Sequence, residues 1–396
     1  MHDVLKTALD IAAAVMNGRP YTGEFPDDET AFFRLIHENG LSGVVFHVLD
    51  KDNVKEQTYK RFARDFYAYQ ASDVKQEKAM ETLAASFNEH GIDHVFLKGA
   101  NLKTLYPEKP MRAMGDIDVL VRKKDLETSR ETLPENGFLL SSKSEAHDVY
   151  HYGRDVAVEV HPTLYKSFDE RYENLFEDVW QHTVKVENHR HRFTREFETA
   201  YLLYHLIKHF RSSGVGLRSV LDIGVFLRAY ESEIDKEKLR GLLEEGKMTR
   251  FFQSMLEINR RAFQIEPFPE FLEDFAMDDA TYEETLVFLA TSGIHGHGKA
   301  FNRYLARGIQ SGEGSLKTQG RVKVFFRILF PSLKSMRGMY PYLEKRPYLL
   351  PFAYLFRFMR LLFKSTKDSF RKLARFRTLD KRSIDQTRDL YDKLGL

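Results

Sequence analysis

The hydrophobic period of this chain changes twice, and this change limits its possible folds more than any other feature. Up to about residue 90, apolar residues recur every three or four positions, which predicts helices, the last of them ending at Gly91. Short runs such as HVFLKG, DIDVLV and VAVEVHP then predict strands, turns and short helices. From Thr199 onward the helical period returns. The pattern predicts the α+β class, with helical regions on both sides of a mixed α/β segment.

The length of the chain predicts more than one domain. Single hydrophobic cores stop growing at roughly 250 to 300 residues, and this chain has 396. We predict four parts: an N-terminal helical region at 1–90, a mixed α/β core at 91–195, a helical bundle at 196–310 and a basic aromatic helical tail at 311–396. Within the core, Gly153-Arg154-Asp155 predicts a tight hairpin between two strands.

The composition excludes several classes of protein and of site. No stretch approaches the roughly 20 apolar residues of a membrane-spanning helix. Asp3 and Asp10 stand where a secretory signal would be basic and then apolar, so we expect a cytoplasmic protein. With no cysteine in the chain, disulfides, thiolate nucleophiles and cysteine-bound zinc are excluded. Carboxylates and histidines remain as metal ligands, and oxygen ligands favour Mg²⁺ or Mn²⁺.

Two acidic residues interrupt an apolar strand in the segment RAMGDIDVLV. Asp116 and Asp118 are two positions apart, so their side chains point to the same face, about 7 Å apart along the backbone. Two like charges side by side in an apolar setting cost free energy, and a hard cation removes this cost by binding oxygens of both. The pair therefore predicts a metal site. A D-x-D pair also occurs by chance in solvated strands, and in nucleotide-sugar glycosyltransferases.

A third acid lies in the strand VAVEVHP. The three valines form one face of this strand, and Glu159 and His161 lie on the other. If this strand lies beside DIDVLV, three carboxylates converge, which is enough to hold two metal ions for an in-line displacement at phosphorus. His161 either orients Glu159 or only fills space.

A lysine and a glycine follow the first predicted strand, in HVFLKGA. Lys98, Gly99 and Ala100 connect this strand to a short helix, where backbone N–H groups and the lysine charge can receive phosphate oxygens. Gly99 allows a phosphate to approach the backbone closely. Arg112, four residues before Asp116, reaches the same phosphates if its loop folds over the site. A solvated surface charge is the alternative role for both Lys98 and Arg112.

The order of these motifs is h-K-G-A, R-x-M-G-D-I-D-h-h-h and h-E-h-H, where h is apolar. It resembles the nucleotidyltransferases of the DNA polymerase beta superfamily, and within it the uncharacterised bacterial nucleotidyltransferase family. The resemblance is specific from Val95 to His161 and extends more weakly through HLIKHFRSSGVGLRSVLDIGVF. It implies a small mixed β-sheet flanked by helices, followed by a helical domain. It also implies a nucleoside triphosphate substrate, which we expect to be ATP.

The resemblance implies roles for individual residues. Its metal-binding acids fall on Asp116, Asp118 and Glu159, and its phosphate-binding glycine falls on Gly99. Ala100 is a departure, because the wider superfamily commonly has Gly or Ser there. A hydroxyl group to the phosphate is therefore missing, and we expect Lys98 to replace it.

A helical patch of the resemblance also carries candidate nucleotide contacts. His209, Arg218 and Asp222 belong to it and are expected to face the sugar or the base. His205 and His209 are four residues apart on a predicted helix, but no glutamate completes an H-E-x-x-H metal motif. Packing or substrate contact is therefore the favoured role for these histidines.

The C-terminal part of the chain is strongly basic. Between Lys317 and Arg382 there are eighteen Lys and Arg residues and three acidic residues. Arg and Phe alternate there in helix-like blocks, which suits an anionic membrane surface or a nucleic-acid backbone. An amphipathic helix packed on the bundle, with solvated charges, is the alternative.

We therefore predict an enzyme that transfers a nucleoside monophosphate from a triphosphate to an unidentified acceptor and releases pyrophosphate, with Mg²⁺ or Mn²⁺ as cofactor. Two alternatives stay open. The first is a non-catalytic nucleotide-binding regulatory protein that keeps the pocket as a sensor. The second is a transferase with the same metal site that uses a nucleotide-sugar donor.

Overall fold

The computed structural model of the chain describes residues 2–144, 147–164, 172–211, 214–293, 342–364 and 381–396, with a few positions between 330 and 340. The segment HGHGKAFNRYLARGIQSGEGSLKTQGR is glycine-rich and polar, which predicts a loop or linker. It lies outside the described residues, as does much of the basic tail. Among the described helices, none combines the length and the apolar character needed to cross a membrane.

Helices dominate the described part of the chain before and after one sheet. The helices are α1 (His2–Met16), α2 (Glu29–Glu38), α3 (Ser42–Phe46), α4 (Glu56–Glu89), α5 (Gly99–Leu102), α6 (Leu126–Glu135), α7 (Glu173–Glu177), α8 (Arg195–Arg211), α9 (Leu217–Tyr230), α10 (Lys236–Glu245), α11 (Thr249–Ile258), α12 (Asp279–Ser292), α13 (Tyr342–Lys345), α14 (Leu350–Lys364) and α15 (Lys381–Leu394). Short 3-10 turns lie at Lys103–Leu105, Lys109–Met111, Lys123–Asp125, Val179–His182, Pro269–Leu272 and Pro347–Leu349, and a π-helical turn at Asn259–Phe263 follows α11.

The strands form one mixed sheet of seven. They are β1 (His94–Phe96), β2 (Ile117–Val121), β3 (Phe138–Ser142), β4 (Asp148–Tyr152), β5 (Val156–His161), β6 (Thr183–Glu187) and β7 (Arg190–Phe193). Their order across the sheet is β3-β4-β5-β2-β1-β7-β6. The α+β class and the mixed sheet are confirmed. The predicted hairpin is confirmed too, because β4 and β5 pair antiparallel across a turn in which Gly153 has a φ of +62°.

The hairpin of β6 and β7 was not predicted from the sequence. Its strands are antiparallel to each other, and β7 pairs in parallel with β1 at one side of the sheet. The residues of β7, RHRF, are mostly charged and only partly buried, so they show no apolar alternation. Strand β7 is therefore recognisable only from its pairing, whereas the edge strand β6 has two alternating valines, Val184 and Val186, that are exposed.

The two faces of the sheet pack against different layers. The faces that carry Ile117, Val119 and the valines of β5 form an apolar cluster with α4 and α6. Alternation then turns Asp118 and Glu159 to the opposite face. Residues of α8 and α9 belong to a second, larger cluster together with Val95, Leu97 and Leu120. The acidic residues therefore lie on the side of the sheet that meets the helical bundle.

The N-terminal helices share this larger core with the bundle. Buried residues of α1, α2 and α3 belong to the same cluster as those of α8 to α12. The division of the chain into four parts stays a prediction. The shared core leads us to expect that 1–90 and 196–310 unfold together.

His94 is a fully buried histidine of β1. Its ring centroid lies 5.3 Å from that of Phe87 and 5.7 Å from that of Phe96. Burial lowers the pKa of His94 to about 4. The folded protein therefore keeps this ring neutral, whereas the unfolded chain binds a proton below about pH 6.5.

The stability that neutral His94 contributes is full above about pH 6.5 and is lost as the pH falls toward 4. We expect His94→Leu to reduce the drop in unfolding free energy between pH 7 and pH 5 by about 2 kcal/mol. Urea denaturation of both proteins at the two pH values measures this difference. An equal pH dependence in the two proteins would contradict the expectation.

Candidate active site

The parallel pairing of β2 with β5 brings three acids together. Its register sets Asp118 opposite Glu159 and Leu120 opposite His161. Asp116 comes directly before β2 and shares a face with Asp118. Carboxylate oxygens of Asp116, Asp118 and Glu159 lie within 4.8 Å of one another. The convergence expected from strand alternation is confirmed.

The charges of the cluster determine which groups are ionised. Asp116 is exposed at the rim of the cluster, yet the protein beside it removes part of its water and Asp118 and Glu159 repel its charge, so the pKa of Asp116 is raised. Burial acts in the same direction on Asp118, but Lys98 and His161 outweigh it and hold the pKa of Asp118 below its usual range. The hydrogen bond from His161 is the main cause that lowers the pKa of Glu159. A cation would relieve the repulsion that remains at Asp116.

Lys98 supplies positive charge to this cluster. Its Nζ lies 3.0 Å from Oδ1 of Asp118. Burial opposes the charge of Lys98, but Tyr201 of α8 and Asp118 raise its pKa. Its backbone has a φ of +44°, in the left-handed region that non-glycine residues rarely adopt. Such strain persists where the surrounding structure imposes it, and it clusters at functional sites.

Gly99 lies where a side chain would force Met114 to move. A Cβ there would be 2.8 Å from Cγ of Met114 and 3.2 Å from Nη1 of Arg112. The segment that leads into β2 therefore packs directly on the first residue of α5. This close approach accounts for the glycine at this position.

Arg112 is tied to the helical bundle by a buried ion pair. Its Nε and Nη2 donate hydrogen bonds to the two carboxylate oxygens of Asp222, at 2.7 and 2.9 Å. The hydroxyl of Tyr106 donates to Oδ1 of Asp222 at 2.8 Å. All three side chains are buried. Two guanidinium nitrogens are thus held by α9, and the third, Nη1, lies on the side of Gly99.

Residues 26–264, more than half of the chain, match the protein family described as uncharacterised nucleotidyltransferase. The chain belongs to this family. The match spans α4, the whole sheet, α8 and α9, so it includes every side chain of the acidic cluster and of the Arg112–Asp222 pair. No curated protein and no solved structure matches the chain significantly.

Helix α9 holds the loop before β2 at a second point. Nη1 of Arg218 donates a hydrogen bond to the carbonyl oxygen of Ala113 at 2.9 Å. Burial and the positive charge of Arg112 lower the pKa of Arg218. Arg218 and Asp222 together hold the segment that presents Asp116. Their predicted contact with the sugar or base stays a prediction.

The other residues predicted to contact the nucleotide are His209 and Ala100, and they stay predictions. The rings of His205 and His209 lie 4.4 Å apart on α8. Burial lowers the pKa of His209 to about 4, and Lys98 and Asp118 are close enough to affect it. A neutral imidazole thus lies near the acidic cluster. Ala100 contributes its side chain to the apolar cluster under α4, so its methyl group is directed into the core.

Three residues at the candidate site belong to no sequence motif and were not predicted. They are Tyr106 on Asp222, Tyr201 beside Lys98, and His147, whose Nε2 lies 3.7 Å from Oε1 of Glu159. The tyrosines are indistinguishable from core residues in the sequence. The predicted β4–β5 hairpin did contain a signal for His147, because that pairing sets it across from His161.

Proposed function

We propose that this protein transfers a nucleoside monophosphate from a nucleoside triphosphate, ATP in the first instance, to an acceptor and releases pyrophosphate. The single observation that supports this best is the convergence of Asp116, Asp118 and Glu159 on one face of the sheet. Lys98 and the Gly99 turn lie beside these acids. The family to which the chain belongs supports a nucleotidyl group as the unit transferred.

The three carboxylates fit a divalent cation. Their oxygens lie within 4.8 Å of one another, and carboxylate oxygens suit Mg²⁺ and Mn²⁺. The repulsion that raises the pKa of Asp116 is a cost that a cation would remove. We propose Asp116, Asp118 and Glu159 as the ligands. When bound, the metal supplies Lewis-acid stabilisation of the charge that develops at the α-phosphate and its attacking nucleophile.

Lys98 and Arg112 are proposed to hold the triphosphate. Lys98 Nζ is already within 3.0 Å of Asp118, so its charge lies where the phosphates would meet the acids. Nη1 of Arg112 lies beside Gly99, and Asp222 fixes the other two nitrogens. Because the guanidinium is held in place before the nucleotide arrives, little conformational entropy is lost when it binds a phosphate oxygen.

His161 is proposed to keep the acids ionised and oriented. Its Nε2 lies 2.8 Å from Oδ1 of Asp118 and 3.4 Å from Oε2 of Glu159. These contacts help to lower the pKa of both carboxyl groups. Metal ligands must be deprotonated, and the hydrogen bonds from His161 favour the ionised form of both carboxyl groups and fix their orientation.

Gly99 offers a test of the proposed phosphate position. Gly99→Ala is expected to raise the KM for the triphosphate about tenfold or more, because the new Cβ meets Met114 and Nη1 of Arg112. Gly115→Ala is the matched control, since a Cβ there meets nothing within 4 Å. Steady-state kinetics of pyrophosphate release measures both. Equal KM values for the two variants would exclude Gly99 from the phosphate site.

Two other functions use the same pocket. A non-catalytic nucleotide sensor would bind triphosphate and metal without turnover, but retention of all three acids favours catalysis. A nucleotide-sugar-dependent transferase would ignore a bare triphosphate. The family match favours nucleotidyl transfer over this second rival.

Label transfer decides between these functions. The protein is incubated with each α-³²P-labelled triphosphate, Mg²⁺ or Mn²⁺, and a cell extract that supplies the acceptor. We expect label to move into a product and pyrophosphate to appear, whereas γ-label should leave with the pyrophosphate. Binding of nucleotide without transfer would favour the sensor. Transfer from a labelled nucleotide sugar alone would favour the sugar transferase.

A further inference from the structure

A second group of metal-ligating side chains lies against the acidic cluster. His147, Glu159 and His161 each offer a ligand atom within 4.8 Å of the others. The proposed nucleotide chemistry uses the acids as metal ligands and His161 to orient two of them, but it uses neither imidazole as a ligand. A joint role of the two imidazoles with Glu159 goes beyond that proposal.

The pairing of β4 with β5 brings these three side chains together. Asp148 of β4 pairs with Val160 of β5, so His147, one residue earlier, lies across from His161. The two imidazole rings have centroids 5.1 Å apart. Glu159 projects between them, with Nε2 of His147 3.7 Å from Oε1 and Nε2 of His161 3.4 Å from Oε2.

These separations are close to those of a metal site. Metal–ligand bonds of about 2.0 to 2.1 Å place the ligand atoms of a tetrahedral ion roughly 3.3 Å apart. Small side-chain rotations would bring the two imidazoles and the carboxylate into that arrangement. Two histidines and a glutamate, with an open fourth position, are a donor set that proteins use for divalent transition metals.

We propose that His147, Glu159 and His161 form a site for a divalent transition cation, beside the cation proposed for Asp116 and Asp118. Imidazole nitrogen favours Zn²⁺ or Co²⁺ over Mg²⁺, which prefers oxygen and retains its waters. Glu159 is shared between the two sites. The catalytic meaning of this site rests on the proposed function, but the binding of the ion does not.

Cobalt is a suitable probe, because four-coordinate Co²⁺ with nitrogen ligands absorbs visible light more strongly than six-coordinate Co²⁺ with oxygen ligands. Untagged protein without nucleotide is titrated with Co²⁺ in excess Mg²⁺, which occupies oxygen-only sites. We expect a visible band that saturates with one ion per chain. Removal of a residue that only orients a metal ligand lowers metal affinity about 10- to 100-fold. His147→Gln removes a ligand itself, so it should weaken Co²⁺ binding about 100-fold or more.

Matched variants separate this site from its neighbours. Asp116→Asn should keep the visible band, because Asp116 is not a ligand of this ion. His151→Gln should keep it too, since His151 lies on β4 opposite Ala157, away from Glu159. Melting curves without metal check that each variant is folded, and His161→Gln replaces His147→Gln if the latter does not fold.

The Co²⁺ titration tests the metal site independently of the nucleotidyl-transfer assay. Unchanged Co²⁺ binding in both histidine variants would overturn the proposal and leave the imidazoles as hydrogen-bond donors only. Loss of the band in Asp116→Asn, with the band retained in His147→Gln, would also overturn it. A protein that binds Co²⁺ through His147 but transfers no nucleotide would sustain this site and refute the proposed function.

Discussion

Asp116→Asn is expected to lower nucleotidyl transfer at least about a thousandfold while the protein stays folded. Asparagine keeps the size of the side chain and removes the charge that would hold the metal. A loss of about 4 kcal/mol of transition-state stabilisation, a magnitude within the reach of a bound metal, corresponds to this factor. Pyrophosphate release at saturating Mg²⁺ measures it.

The same change is expected to leave stability unchanged or to increase it. Asp118 and Glu159 repel the charge of Asp116 and raise its pKa, so the neutral amide removes repulsion from the metal-free protein. Asp118→Asn differs, because it takes the anionic partner from Lys98 and His161. That variant should lose both activity and stability.

The contrast between these two variants is informative about function. A purely structural Asp116 would lose activity only through unfolding, so activity and melting temperature would fall together. Asp155→Asn serves as the control, because Asp155 is an exposed acid paired with Lys75 on the surface. Full transfer activity in Asp116→Asn would refute the proposed metal ligands.

Much of this site was predictable from the sequence because strand alternation is local. The period of two in DIDVLV and VAVEVHP fixes which side chains share a face, and only the pairing of the two strands remained to be assumed. The structure supplies that pairing, with Asp118 opposite Glu159. The α+β class follows in the same way from changes in hydrophobic period.

Contacts between distant segments were not predictable. Arg112 and Asp222 are 110 residues apart, and no sequence pattern indicates that they are in contact. The β6–β7 hairpin was missed because β7 has no apolar alternation, although β6 alternates with two valines that the structure leaves exposed. The position of β7 in the sheet is set by its pairing with β1. The strained backbone of Lys98 likewise depends on its tertiary surroundings.

The second prediction with a large effect concerns the Arg112–Asp222 ion pair. Arg112→Lys is expected to raise the KM for the triphosphate about thirtyfold, which corresponds to about 2 kcal/mol, because the lysine keeps the charge but loses the nitrogen beside Gly99. Tyr106→Phe is the matched control. It removes only the hydroxyl that donates to Asp222, so it should cost about 1 kcal/mol of stability and change KM little.

Asp222→Asn distinguishes a structural role of Arg112 from a role in binding phosphate. It leaves Arg112 buried with a weakened partner, and breaking such a pair costs about 3 to 5 kcal/mol of unfolding free energy. If Arg112 only connects α9 to the core, Arg112→Lys and Asp222→Asn would both lower the free energy of unfolding. The folded molecules of both variants would then keep the KM of the unchanged protein. If Arg112 binds phosphate, Arg112→Lys raises KM at temperatures far below its melting transition. Kinetics at low temperature, corrected for the folded fraction, therefore distinguishes a structural ion pair from one that positions a phosphate-binding group.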